Sequence, residues 1–192
     1  MTYAFENGRL RVDINKRGSG WPARSPDCNP IKNVWSAMAA KNGVQLSQTF
    51  GGPHGTKYSD LDIASSGQTV QAITIRTGER VNAVSLDITD PSGQKSTLYH
   101  GGGGGDPNTL TLGAGEFITG IEAHWGEKDS HTRIKYIQFT TSSGKTISGG
   151  SPTKDIGKDS APAGYQLGGF VGTCGKELDS VGAIWTSITP VA

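Results

Sequence analysis

The chain has 192 residues, of which 29 are Gly, 33% are hydrophobic and 18% are charged, with a formal net charge of +1. The near-neutral balance gives no global field for nucleic acid or a membrane surface, no run of 18 or more apolar residues offers a transmembrane helix, and the charged fraction is too low for a coiled coil. Gly at about twice its usual share, beside many Thr and Ser, indicates strands joined by tight turns, in one domain with an extension.

The N-terminus, MTYAFENGRLRV, lacks the apolar stretch of a secretory signal. The cytoplasm is therefore the default compartment, with secretion the expectation if the native N-terminus differs. Residues 1–45 carry seven Lys or Arg against three Asp or Glu; residues 46–192 carry eleven against fourteen, so +4 faces −3. In the first segment the pattern predicts a strand over Arg9 to Asn15 and a turn-rich stretch around Gly18, Gly20, Pro22 and Pro26. A helix is expected from Pro30 to Lys41, with Asn29 as N-cap, Gly43 past its end, and Ile31, Val34, Trp35 and Met38 on one apolar face. Cys28 and Cys174 lie far apart with no CxxC or Cys/His spacing, so neither a disulfide scaffold nor a zinc site is indicated.

From Leu46 the periodicity changes to two. Alternating runs occur at Val70 to Arg76, Val81 to Ile88, Phe117 to Trp125, Thr132 to Thr141, Tyr165 to Val171 and Ser180 to Ile188, with Gly, Pro and Ser turns between them. This predicts an all-β sandwich, barrel or prism. Gly pairs or runs at Gly51-Gly52, Gly101 to Gly105 and Gly149-Gly150 recur every 48 to 50 residues. Such a period suggests a repeated unit of several strands, although Gly-rich turns in a Gly-rich chain also recur without symmetry.

Signatures of catalysis are missing from the sequence. No GxSxG elbow serves the four His residues, the Gly101 to Gly105 run precedes no helix pattern, and Ser143-Gly144-Lys145-Thr146 lacks the earlier Gly of a phosphate loop. No cofactor is expected and the chain is not read as an enzyme. The segment with chemistry is Gly175-Lys176-Glu177-Leu178-Asp179. A Gly turn offers backbone N–H donors, and a carboxylate four residues on accepts hydrogen bonds from two hydroxyls, which suits polyols. The same pattern also describes an Asp that merely caps a tight turn.

Five pieces in order carry a family resemblance. They are Phe50-Gly51-Gly52-Pro53-His54-Gly55, Tyr99-His100-Gly101-Gly102, LGAGEFITGI from Leu112 to Ile121, IKYIQFT from Ile134 to Thr140, and LGGFVGTCGKELDSVGAI from Leu167 to Ile184. Residues 46–192 resemble a jacalin-related lectin domain along nearly their whole length. The resemblance implies a β-prism of three four-stranded Greek-key sheets with pseudo-threefold symmetry, agreeing with the period of about 50 residues. It implies a sugar site made of Gly55 from the first Gly loop with Gly175, Lys176, Glu177 and Asp179 from the last. In that family galactose binders free the amino group of the first-loop Gly by proteolysis and place aromatics where Lys176 and Glu177 stand. Both departures imply mannose- or glucose-type glycans as partners, with homo-oligomerisation left open. A second site near Gly101 to Gly105 would need an Asp where this chain has Asn82, so a plain turn is preferred there.

Residues Trp21 to Trp35 (WPARSPDCNPIKNVW) resemble the last motif of mariner-type DDE transposases, with Lys32 where that family has its metal-binding Glu. A cation cannot hold Mg²⁺, so the stretch is read as a fused remnant or an accidental extension, with no transposase activity expected. The leading expectation is a non-catalytic, mannose- or glucose-type lectin. The alternatives are a structural or protein-interaction prism whose sugar site is degraded, for which Glu177 beside Asp179 is the motive, and a DNA-processing enzyme.

Overall fold

The computed structural model describes the strands Thr2–Glu6 (β1) and Arg9–Asp13 (β2) and residues 43–192. β1 and β2 pair antiparallel from Thr2 opposite Asp13 to Glu6 opposite Arg9. The strand expected over Arg9 to Asn15 is thus described as far as Asp13; the expected helix and the transposase-like motif lie outside the described residues. Two compact units are distinguished, residues 1–31 and 32–192.

The second unit contains three antiparallel sheets. Each is built around one long hairpin, and the alternating runs of the sequence supply those hairpins. Thr69–Thr77 (β6) pairs with Val81–Thr89 (β7), Ile118–Lys128 (β10) with His131–Thr141 (β11), and Tyr165–Cys174 (β14) with Leu178–Ser187 (β15). In the second sheet Lys95–Gly101 (β8) flanks β7 and Asp106–Thr111 (β9) returns to flank β6. In the third sheet Thr146–Gly150 (β12) flanks β11 and Asp155–Ser160 (β13) returns to β10. A meander followed by a returning strand is a Greek key. The first sheet follows the same plan with its strands drawn from both parts of the chain. Its third strand is interrupted into Val44–Leu46 (β3) and Phe50–Gly51 (β4), both beside β15, and Thr56–Ser59 (β5) flanks β14. This is the all-β prism of three four-stranded sheets that the sequence predicts.

The repeat is visible in the backbone. A register shift interrupts the first strand of each long hairpin at the same place, between Val70 and Ala72, Ile118 and Gly120, and Leu167 and Gly169. The freed carbonyls of Gln71 and Thr119 accept from Leu112 N and Ala161 N at 2.9 and 2.8 Å, and that of Gly168 accepts from Gln68 Nε2 at 2.9 Å. A bulge at each equivalent point sharpens the local twist, which folds each sheet towards the common core.

That core takes side chains from all three sheets: Ile73, Ile75 and Leu86 from the second, Ile134, Ile137 and Phe139 from the third, Leu167, Phe170 and Trp185 from the first. Phe139 and Phe170 meet edge to face with ring centroids 5.9 Å apart. Burial of each such side chain contributes about 1.5–3 kcal/mol. Trp185 buries its ring and donates its indole N–H to Asp159 Oδ2 at 2.8 Å, joining the first sheet to the third. All ten residues of β15 are buried, because Val44, Ala64, Ile184 and Val171 form a second small cluster on the sheet's other side.

Candidate functional site

Three corners of the prism repeat one backbone device. The amides of Gly52, Gly102 and Ser151 donate to the carbonyls of Asp179, Asn82 and Lys135, at 3.1, 3.0 and 2.8 Å. The residue before each donor is Gly51, Gly101 or Gly150, at φ of 105°, 121° and 91°. A Cβ there would strike the same three carbonyls, so the Gly pairs of the sequence are fixed by a close backbone approach. The carbonyl residue follows a buried apolar one each time (Leu178, Val81, Ile134). Its side chain is Asp in the first corner, Asn in the second and Lys in the third.

The first corner gathers every residue expected of the site. Gly55, Gly175, Lys176, Glu177 and Asp179 all line one open cleft of about 690 Å³. Gly55 sits at φ 86°, and a Cβ on it would strike Asp179 Oδ2 and come within 2.9 Å of the Cys174 carbonyl. Nothing larger than Gly therefore fits against the carboxylate. The Gly175 amide donates to the Glu177 carbonyl at 2.9 Å, closing the turn between β14 and β15. Gly175 and Lys176 are exposed on the cleft's lip, whereas Asp179 is 3% exposed at its floor.

The second Gly loop forms the adjacent wall. A Cβ on Gly102 would strike the Lys176 carbonyl, so the two loops touch. Arg76 holds the loop from behind: its Nε donates to the Gly104 carbonyl at 3.0 Å and its Nη2 to those of Gly103 and Gly105 at 3.0 and 2.9 Å. Tyr99 Oη donates to the Gly102 carbonyl at 2.6 Å. With four carbonyls held, the loop is a fixed wall.

Two residues that the sequence reading did not name complete the electrostatics. Arg80, in the β6–β7 turn, grips Glu177 through Nε to Oε2 at 2.9 Å and Nη2 to Oε1 at 2.6 Å. Arg133, from β11, donates through Nη1 to Asp179 Oδ1 and stands with its Nε 3.5 Å from Glu177 Oε2. The result is an ordered chain, Arg80–Glu177–Arg133–Asp179. Repulsion between Glu177 and Asp179 is the motive for reading the site as degraded; the Arg133 guanidinium between them offsets it, though, beside burial, Glu177 still raises the Asp179 pKa. The hydrogen bonds from Arg80 hold the Glu177 carboxyl below the usual carboxylate range, and Glu177 keeps Arg80 charged in return. Asp179 goes the other way: burial raises its pKa, and the nearby Arg133 and His54 charges only partly offset this. His54 and His131 meet edge to face beside it, with ring centroids 4.5 Å apart.

A second polar cluster lies behind the site in the core wall. His100 Nε2 is 2.8 Å from both Asp60 oxygens, Asp60 also accepts from Phe170 N at 2.9 Å, and Tyr58 stacks on the His100 ring at 4.1 Å between centroids. Tyr58 Oη donates to the Ser180 carbonyl at 2.9 Å, next to Asp179. These contacts brace the site's floor. Cys174 is a free thiol. Among the described residues no group of three or more His, Cys, Asp or Glu is placed to hold a metal ion.

A family model for the jacalin-like lectin domain matches residues 47–184. Secreted RxLR effector protein 19 of Plasmopara viticola is 30% identical over 152 residues, covering 76% of this chain and 83% of the relative. Among solved structures, the Malaysian banana lectin is similar with a TM-score of 0.67 at 23% identity, over 76% of this chain and 99% of the lectin. AcmJRL, a mannose-binding jacalin-related lectin from Ananas comosus, is similar with a TM-score of 0.65 at 19% identity, again over 76% and 99%.

Proposed function

The chain belongs to the jacalin-like lectin family, whose members bind carbohydrate and do not catalyse, and from that premise we propose that it binds mannose- or glucose-type glycans at the Asp179 corner. Asp179 accepts two sugar hydroxyls on its carboxylate. Gly55, Gly175, Lys176 and Glu177 act mainly through the backbone, with Lys176 and Glu177 shaping the rim. The observation that carries the reading is the carboxylate of Asp179, 3% exposed at the floor of an open cleft whose lip is Gly175 and Lys176. The Asn82 corner has the same close Gly contact but no carboxylate. The mannose-binding relative from Ananas comosus supports the sugar class, as do the internal position of Gly55 and the lack of aromatics at 176 and 177. Residues 46–192 are the lectin module in this reading, and residues 1–45 an extension to it. An open cleft gains little per site, because hydroxyls on both partners must be desolvated, so biological avidity comes from several sites presented together.

A glycan array probed with the full chain and with Asp179→Ala tests this. Binding to mannose- or glucose-terminated glycans that disappears in the variant is the expected result. A folded wild-type chain that captures none of them would instead favour a protein-interaction prism.

A further inference from the structure

The third sheet contributes to the first corner more than a Greek-key repeat requires. The hairpin of β6 and β7 turns at Gly78 to Arg80 and that of β14 and β15 at Gly175 to Glu177, close to Asn82 and Asp179. The β10–β11 hairpin runs on past its equivalent position, Lys135, and turns only at Asp129 and Ser130. Both turn residues take positive φ, 53° and 61°, without being Gly. Two side-chain-bearing residues in that region mark a strained two-residue turn. The extra length brings Lys128, His131 and Arg133 to the cleft that holds Asp179.

This changes what the site asks of a ligand. A sugar hydroxyl that approaches Asp179 Oδ1 competes with Arg133 Nη1 for it. A displaced guanidinium keeps only the long contact with the Thr132 carbonyl, at 3.4 Å, and Glu177, whose two oxygens already bind Arg80. A neutral hexose leaves that cation underpaired in a partly buried place, which is costly. A negative group on the same hexose gives it a new partner in a charge-assisted bond. The wider charge balance has the same sign. Arg80, Lys128, Arg133 and Lys176 line the cleft against Asp129, Glu177 and Asp179.

Resting on the sugar-site reading above, we infer that the cleft prefers a hexose bearing an anionic substituent, its hydroxyls on Asp179 and its phosphate, sulfate or carboxylate on Arg133. The test is titration calorimetry on the full chain with methyl α-mannoside, mannose 1-phosphate, mannose 6-phosphate and glucuronic acid. The two phosphates separate the position of the charge, and the glucuronic acid separates carboxylate from phosphate. At least one anionic sugar should bind about tenfold or more tighter than the neutral one, with a preference that shrinks as salt is raised. Arg133→Gln should bring the ratio close to one, with a thermal melt confirming its fold; the salt series on the wild type gives the same information without a variant. Anionic sugars that bind no tighter than methyl α-mannoside overturn this inference and leave the sugar site standing. Failure of all four ligands overturns the sugar site itself, and the inference with it.

Discussion

The Asp179 and Asn82 corners are the same backbone carrying different chemistry. In each, a Gly amide meets the carbonyl of the residue after a buried apolar side chain. In each, a later Gly at positive φ presses on that residue's side chain, Gly55 on Asp179 and Gly105 on Asn82. The first corner holds a buried carboxylate facing an open cleft. In the second, Arg76 ties down the loop carbonyls and the amide of Asn82 fills the place of the charge. The prism thus supplies one backbone device three times over, and in the reading proposed above one side chain decides whether it binds sugar.

Substitutions at matched positions sharpen this contrast. The largest effect is expected at the deciding side chain. Asp179→Ala should lower affinity for a mannose-type glycan by more than about a hundredfold, from loss of two charge-assisted bonds, while Asn82→Ala should change it less than twofold in the same titration. Next comes the close approach. Gly55→Val puts a side chain into Asp179 Oδ2 at φ 86°, and should cost binding about as much as it costs stability, roughly 2 kcal/mol or more; Gly103→Val, with open space around it, should leave glycan binding unchanged.

The two arginines give a smaller pair of effects. Arg80→Ala takes from Glu177 its two short hydrogen bonds and leaves it the longer Arg133 contact at 3.5 Å; it should lower stability by about 1–2 kcal/mol in denaturant melts, weakening sugar binding too. Arg76→Ala loosens the second loop at similar cost and should spare binding. The smallest signal is the pH profile. Asp179 has a raised pKa in the fold, so its ionised form is disfavoured there, and sugar binding should fall on acidification at a pH above the ordinary aspartate value of about 3.9. Glu177 is depressed: its contribution to stability is present above its unfolded value and lost only as pH falls through its lower folded value. Binding measured by intrinsic fluorescence should therefore fade while circular dichroism still reports the native fold. Simultaneous loss of both would break the distinction between binding carboxylate and structural carboxylate.

The contrast also marks where the sequence was readable. The six long hairpin strands announce themselves by apolar residues that recur at a period of two, and their positions were legible to within a few residues, although β15 is buried on both faces. The flanking strands β9 and β13 were not: DPNTLT and DIGKDS are largely exposed and lack the apolar face that would announce a strand. Gly175 to Asp179 stood out since its donors and its carboxylate are adjacent in the chain. Arg80 and Arg133 did not, since they reach the site from other sheets, 97 residues from Glu177 and 46 from Asp179. Their only local trace is a cation close to a hairpin turn, which solvated turns share.

The division of the first sheet between residues 44–59 and 165–187 has a consequence for the order in which the molecule is made. At about 5–20 residues per second, the early strands wait roughly 5 to 20 s on the ribosome for the hairpin that completes them. Until then Phe50 and the β5 edge lack their partners, and the pocket floor does not exist. The two other sheets close within contiguous stretches and form during the interval. The proposed sugar site is therefore completed only when residues 165–187 have been made, and glycans that meet the chain before then find no competent site on it.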